Sequence, residues 1–340
     1  MTTEPLVSVI TPVYNGEKYL ADCIESVLAQ THQNFEYIIV NNCSTDRTLE
    51  IAKEYAIKDP RIRIHSNSAL IDVIANHNLA FRLIAPTSKY CKIVSADDLI
   101  FPECLMRMLE VAEANPTVGI VGSYQISASA VRWQGFEYPK VVFCGKKLGR
   151  KILLGNEPGF GLGSPTSMLY RADLVRKSEN FYPNSSPHAD TSAGFNTLKD
   201  SDFGFVYAVL CYEKIHENTQ SSKSAELNRY APACLNDMIQ YGPLYLTPEE
   251  QARQLKKILD GYHRFLAVNL LKSRGKEFWN YHITQLAELN YPIKTATLLK
   301  TLCKTLLNEA LNPKQAFQKW RESFNHSALR SAEPSGDPIL

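Results

Sequence analysis

The sequence has no CxxC pair and no cysteine and histidine cluster at zinc-ligand spacing; its eight cysteines are scattered between Cys23 and Cys303. That argues against a structural zinc module and for a reducing compartment. A run of about eighteen apolar residues is also missing, as is a basic stretch leading into an apolar one near Met1, so neither secretion nor a membrane-spanning helix is expected. Sixteen glycines and eighteen prolines among 340 residues, with no repeating period, exclude collagen-like, low-complexity and solenoid chains. The first apolar run is followed by TPVYNG and not by G-x-G-x-x-G, which removes the usual dinucleotide fingerprint of oxidoreductases. What remains is a chain that is 44% hydrophobic, ample for a core.

The net charge of +2 is unevenly spread. Residues 1–250 hold 23 Lys and Arg against 28 Asp and Glu, whereas residues 251–330 hold 14 against 5. An acidic front suits a divalent cation, and a basic helical back suits an anionic lipid surface or is simply a solvated face.

LVSVITPV (6–13) reads as a buried strand ending in an Asn15-Gly16 turn, and apolar spacing over Tyr19–Gln30 reads as a helix. FEYIIV (35–40) is a second strand, after which Thr45 is placed to cap a helix through Tyr55. Strands at 62–65, 90–94 and 118–121 alternate with helices at 73–84 and 102–114, which predicts a mostly parallel sheet with right-handed crossovers. Residues 123–163 have no clear period and read as irregular loops covering a site. Strands at 166–170 and 203–215 flank a helix at 191–198. Beyond Thr247 two apolar stripes signal helices: Leu255, Ile258, Leu259, Tyr262, Phe265 and Leu266, then Ile293, Leu298, Leu299, Leu302, Leu306 and Ala310.

Ligands of open parallel sheets sit beyond the carboxyl ends of the strands. The groups there are Thr11-Pro12-Val13-Tyr14-Asn15, Asn41-Asn42 and Ser95-Ala96-Asp97-Asp98, with Asp190 later in the chain. Adjacent carboxylates at Asp97 and Asp98 repel each other unless a cation neutralises them, and Mg²⁺ or Mn²⁺ prefers carboxylate and phosphate oxygen. The plainer reading of the pair is a helix start before Pro102. His188 reads as a packing or surface histidine, Asp200 and Asp202 as turn residues before a strand, and Gly159–Ser164 as a loop beside an acceptor site.

In order, VSVITPVYNGEKYLADCIESVLAQTHQNFEYIIVNNCSTDRT, YCKIVSADDLIFPECL, GSPTSMLYRADLV, FYPNSSPHADTSAGF and DFGFVYAVLCYEKIHENTQSS resemble the family 2 glycosyltransferases of GT-A fold, over residues 5–222. The resemblance implies an α/β nucleotide-binding fold, with a mostly parallel central sheet flanked by helices and a helical C-terminal appendage. It also implies transfer of a sugar with inversion from a nucleotide-diphosphate sugar, UDP-linked by expectation, to a hydroxyl of a glycan or lipid-linked acceptor. Pro12, Tyr14, Asn15, Asn41, Ser95, Ala96 and Asp97 would line the nucleotide pocket. Asp97, Asp98 and His216 would hold Mn²⁺ or Mg²⁺, and Asp190 would be the general base. Asn41 stands where the family has Asp, Ser95 replaces the first acid of the metal motif, and Lys214 replaces an arginine fork. Those departures motivate the alternative of a catalytically degenerate, nucleotide-sugar binding module. The chain then divides into a catalytic domain (1–225), a helical region (226–330) and a disordered tail (331–340). Its expected place is the cytoplasm or the inner face of a membrane, with no nucleic-acid partner and a role in polysaccharide biosynthesis.

Overall fold

The structure, a computed structural model, describes residues 4–155, 161–183, 186–216, 224, 226–272 and 274–311. The expected tail at 331–340, Gly159 and Phe160 lie outside these residues. The chain divides into two compact units, Met1–Leu255 and Lys256–Leu340.

The first unit is built on one mixed sheet. Its strands are β1 (Val7–Val13), β2 (Phe35–Asn41), β3 (Ile62–Ser66), β4 (Tyr90–Ile93), β5 (Leu99–Ile100), β6 (Val118–Ser127), β7 (Ala130–Arg132), β8 (Val142–Phe143), β9 (Met168–Arg171) and β10 (Asp202–Glu213). The spatial order is β3-β2-β1-β4-β9-β6-β10-β5, with β7 on β6 and β8 on β10. β3, β2, β1 and β4 run parallel, as do β6 and β10. The expected mostly parallel sheet is broken by β9, which lies antiparallel between β4 and β6, and by the short antiparallel strands β5, β7 and β8.

All seven residues of β1 are buried, because helices cover both faces. The period of two separates the faces: Val7, Val9 and Val13 join Phe35, Tyr37 and Ile39 under α1 (Leu20–Leu28) and α4 (Cys104–Ala114). Ile10, Ile38 and Val40 join the opposite core with Ala80 and Phe81 of α3 (Val73–Arg82) and Ala189, Ala193 and Leu198 of α7 (Ala189–Leu198). Each such aliphatic side chain contributes about 1.5–3 kcal/mol by leaving water. α2 (Thr48–Lys58) follows β2, but it begins after Arg47 and not at Thr45. Within the stretch 123–163, residues 123–155 carry more regular structure than their aperiodic sequence suggests, since β6 runs on to Ser127 and α5 (Gly145–Leu154) follows β8, ending at Gly155 in a left-handed conformation. Gly161 approaches Trp133 so closely that no side chain fits there. A short helix α6 (Ala172–Val175) follows β9, and α8 (Tyr230–Tyr245) packs against α5.

α9 (Pro248–Asn269) carries the first apolar stripe, with Tyr262 and Leu266 buried. The second unit adds α10 (Lys276–Glu288) and α11 (Thr295–Leu311). In α11 Leu298 is buried, whereas Leu299 and Leu306 of the second stripe are exposed. Among the described residues, no helix is long and apolar enough to cross a membrane.

Gly145 opens α5 where a β-carbon would meet the carbonyl oxygens of Ser201 and Leu198. Backbone cannot yield as a side chain does, so Gly145→Ala is expected to cost about 1–3 kcal/mol. Urea unfolding checks this, and an unchanged midpoint would refute the tight contact.

Candidate active site

The carboxyl ends of β1, β2 and β4 are neighbours because the strands are parallel and in register, with Val13 opposite Asn41. The loop after β1 is pinned to the turn after β2 by reciprocal hydrogen bonds. Asn15, at φ 50°, accepts the Thr45 N–H on its carboxamide oxygen at 2.8 Å and donates its own N–H to Ser44 at 2.9 Å. The Gly16 N–H donates to Thr48 at 2.7 Å, and any side chain at Gly16 would meet Val13 and come against Ala96. Pro12 is buried at the end of β1. Tyr14 and Asn15 stand exposed above it.

Asn41 is 3% exposed; its carboxamide oxygen accepts the Ser44 N–H at 3.2 Å and its amide donates to Ser66 at 3.5 Å. Asn42 accepts from Asn67 at 2.8 Å and from the Ile71 N–H at 3.0 Å. Asn41, Asn42 and Asn67 thus give this end of β2 uncharged amide partners.

The turn after β4 separates its two carboxylates. Asp98, 5% exposed, accepts the Thr166 hydroxyl at 2.5 Å on one oxygen and the Lys214 N–H at 3.1 Å on the other. Burial, and then the neighbouring Asp97, push its carboxyl well above the ordinary range. Thr166 also accepts the Ser95 N–H at 3.1 Å, and its own carbonyl takes a hydrogen bond from the buried ammonium of Lys92. Asp97 points the other way: its Oδ2 lies 3.1 Å from His216 Nε2, both side chains partly exposed. Beside them the Tyr19 ring stacks near the His216 ring at 4.8 Å, with Lys214 Nζ 4.5 Å and Lys18 Nζ 5.2 Å from its centre.

The expected metal set is thus not gathered as one cluster, since Asp98 is committed to holding the turn. Among the described residues, no group of three or more His, Cys, Asp or Glu side chains is assembled for a metal. One carboxylate and one imidazole do fit a Mn²⁺ or Mg²⁺ ion that takes its remaining ligands from phosphate and water. The ammonium groups of Lys18 and Lys214 add positive charge beside this pair.

Asp190 belongs to a different constellation, on the first turn of α7. Its Oδ1 accepts the Thr191 N–H at 2.7 Å, and burial raises its carboxyl to about 6. Next to it His188 Nδ1 lies 2.7 Å from Asp237 Oδ2, and Ser192 donates to the other oxygen of Asp237 at 2.9 Å. Asp200 precedes β10 and Asp202 opens it, accepting the Gly145 N–H at 3.2 Å.

Sequence reasoning missed Thr166, Lys18, Tyr19, Ser192 and Asp237. For Asp237 a signal was present: it stands four residues after Ala233 and four before Tyr241, on the buried stripe of a helix, where an acid needs a partner.

The sequence profile described as Glycosyl transferase family 2 matches residues 8–177. An uncharacterized glycosyltransferase of Haemophilus influenzae is 36% identical over 120 residues, 35% of this chain and 36% of that protein. The uncharacterized glycosyltransferase EpsJ of Bacillus subtilis is 39% identical over 119 residues, 35% and 33% of the two chains. The chain thus spans only about a third of either relative's length. Among solved structures, S. aureus TarS 1–349 in complex with UDP-GlcNAc superposes with a TM-score of 0.59 at 17% identity, covering 83% of this chain and 80% of that one. The mannosyltransferase PcManGT of Pyrobaculum calidifontis, in complex with GDP-Man and Mn²⁺, gives 0.56 at 15% identity, covering 91% and 89%. Both likenesses establish the shared GT-A fold.

The opposite directions of the two carboxylates predict opposite phenotypes. Asp98→Ala strands the Thr166 hydroxyl and the Lys214 N–H and is expected to cost about 1–3 kcal/mol in urea unfolding. Asp97→Ala is expected to leave stability within about 0.5 kcal/mol. It should instead weaken Mn²⁺-dependent binding of a nucleoside diphosphate at least about tenfold in calorimetry, as loss of a metal-ligand partner does. Equal stability losses in the two variants would contradict this division of roles.

Proposed function

The chain belongs to glycosyltransferase family 2, and from that premise we propose that it is an inverting glycosyltransferase that moves a sugar from a nucleotide-diphosphate donor to an acceptor hydroxyl. The observation that carries the reading is the Asp97 and His216 pair at the end of β4, with Lys18 and Lys214 beside it, since this is the chemistry that receives a leaving diphosphate. Asp190 and His216 both lie beyond residue 177, so their proposed roles rest on their neighbours, His216 on its contact with Asp97 and Asp190 on its raised proton affinity.

Asp97 and His216 would hold the divalent cation, Mn²⁺ or Mg²⁺, which when bound would supply charge stabilisation to a departing diphosphate. That the PcManGT structure carries GDP-Man with Mn²⁺ supports a cation, and that TarS carries UDP-GlcNAc supports a nucleotide-sugar donor. A UDP-sugar is the proposed donor, with Pro12, Tyr14, Asn15, Asn41, Ser95 and Ala96 lining its site. The Asn41 carboxamide offers an acceptor to an imide N–H without bringing charge. Asp190 is the general base: it takes the proton of the acceptor hydroxyl, on a glycan or a lipid-linked sugar, as that oxygen attacks opposite the leaving group. Its raised carboxyl supports this role, because a base is most effective when its affinity for protons approaches the working pH. The proposed location is the cytoplasm, where the basic residues after 250 offer attraction to an anionic membrane surface.

Asp190→Asn is expected to keep donor binding and to lower transfer by about 10²–10⁴-fold. The base works only when ionised, so wild-type turnover should fall as pH drops through about 6 and level off above it. Calorimetry with UDP and Mn²⁺, followed by assays of nucleotide release over a panel of nucleotide sugars, checks both. Normal turnover by Asp190→Asn would end the base assignment, and binding with no turnover from any donor would favour the degenerate binding module. Anionic liposomes should co-sediment the protein at low salt and release it as salt rises; no co-sedimentation at low salt would remove the membrane surface from the reading.

A further inference from the structure

His188 and Asp190 stand two residues apart at the start of α7, and the imidazole is gripped from a distant part of the chain. Asp237, on α8, is 4% exposed and uses both carboxylate oxygens: one lies 2.7 Å from His188 Nδ1 and the other accepts from Ser192 at 2.9 Å. A buried acid needs partners for both oxygens, and the His188 imidazole is the titratable base in contact with it. We propose that His188, clamped by Asp237, is a positioning residue for Asp190: its imidazolium keeps the neighbouring carboxylate ionised and fixes the turn that carries it. The proposal rests on the reading of Asp190 as the base.

The charges around the trio make this more than packing. Asp190 is faced by His188 and Asp237 and, from β9 and the segment after α6, by Tyr170 and Tyr182. Burial drives both tyrosine hydroxyls well above their usual value, so they keep their protons throughout the neutral range. His188 is faced by Asp237, Asp190 and the Tyr230 ring at 5.5 Å. Around Asp237 lie the Cys234 thiol and the Tyr241 hydroxyl, both raised above their ordinary values. For His188, burial alone would disfavour the cation, but the hydrogen bond and charge of Asp237 override it and raise its affinity for a proton. For Asp190, the neighbouring His188 lowers the affinity for a proton and Asp237 raises it, the influence of His188 being the larger. A neutral side chain at 188 would satisfy one oxygen of Asp237 while leaving Asp190 without that attraction.

The test reads the carboxyl directly, in the full chain and without a substrate, by the ¹³C shift of Asp190 against pH, assigned with Asp190→Asn. Wild type is expected to titrate near about 6. His188→Gln should raise that midpoint by about one unit, whereas the charge-preserving His188→Lys should hold it within about 0.3 of wild type. Asp237→Asn should lower the midpoint of the His188 ring, read from its own ¹H shift, by about one unit. Circular dichroism establishes that each variant is folded, and if His188→Gln does not fold, the ring titration in Asp237→Asn decides. An Asp190 midpoint unmoved in folded His188→Gln, or a His188 ring indifferent to Asp237→Asn, would overturn the proposal. The two readings fail separately: normal turnover by Asp190→Asn removes the base, whereas a carboxyl that ignores residue 188 removes the positioning role and leaves the base in place.

Discussion

The site depends on the way one turn parts two adjacent carboxylates. Side by side, Asp97 and Asp98 would repel across one peptide unit. The fold turns Asp98 inward, where the Thr166 hydroxyl and the Lys214 N–H occupy both its oxygens, and leaves Asp97 facing His216. Asp98 thus joins three pieces of chain distant in sequence: the end of β4, the turn before β9 and the end of β10. Lys92 strengthens the same joint from below, donating to the carbonyls of Thr166 and of Met168, the latter at 3.2 Å. A buried ammonium held by carbonyls, with the turn it fixes bearing a buried carboxyl, is an expensive arrangement to form. It is tolerable because the ammonium and both carboxyl oxygens each have a hydrogen-bond partner.

Much of the fold was legible because burial on both faces writes a simple signal. LVSVITPV and FEYIIV are strands under any reading, and the helices between them follow from apolar spacing and length. The two-residue strands β5 and β8 were not legible, since so short a segment carries no period and forms only because β10 offers it an edge. α5 escaped for another reason: GKKLGRKILL carries two glycines, poor helix formers, and its place against α7 and α8 is a tertiary fact. The exposure of Leu299 and Leu306 shows the reverse error, where an apolar period marks a helix without saying that each apolar residue is covered.

For the site, residue types at strand ends named the positions but not their directions. Asp97 and Asp98 looked equivalent in sequence, and only the contacts with His216 and Thr166 tell them apart. Asn41 and Asn42, likewise adjacent, divide their work between the turn at Ser44 and the segment at Ile71. The replacement of a carboxylate by Asn41 is intelligible in this setting. An amide both donates and accepts, so it holds Ser44 and Ser66 together without placing a further negative charge near the end of β1.

The chemical half of the chain also extends beyond the residues that the family profile matches. His188, Asp190, Ser192, His216 and Asp237 all follow residue 177, yet they supply a half-buried carboxyl, its neighbouring imidazole and the partner of Asp97. α8 is therefore more than an appended helix packed against α5. Placing a carboxyl in an apolar cleft raises its proton affinity and so makes it a better base, but past a point it is simply protonated and no base at all. Burial of Asp190 pushes in that direction. A neighbouring cation pushes back, and it must itself be kept charged despite being buried, which requires an anion on its far side. Asp237 fills that position from α8, so a helix remote in sequence sets how far the burial of Asp190 carries its proton affinity.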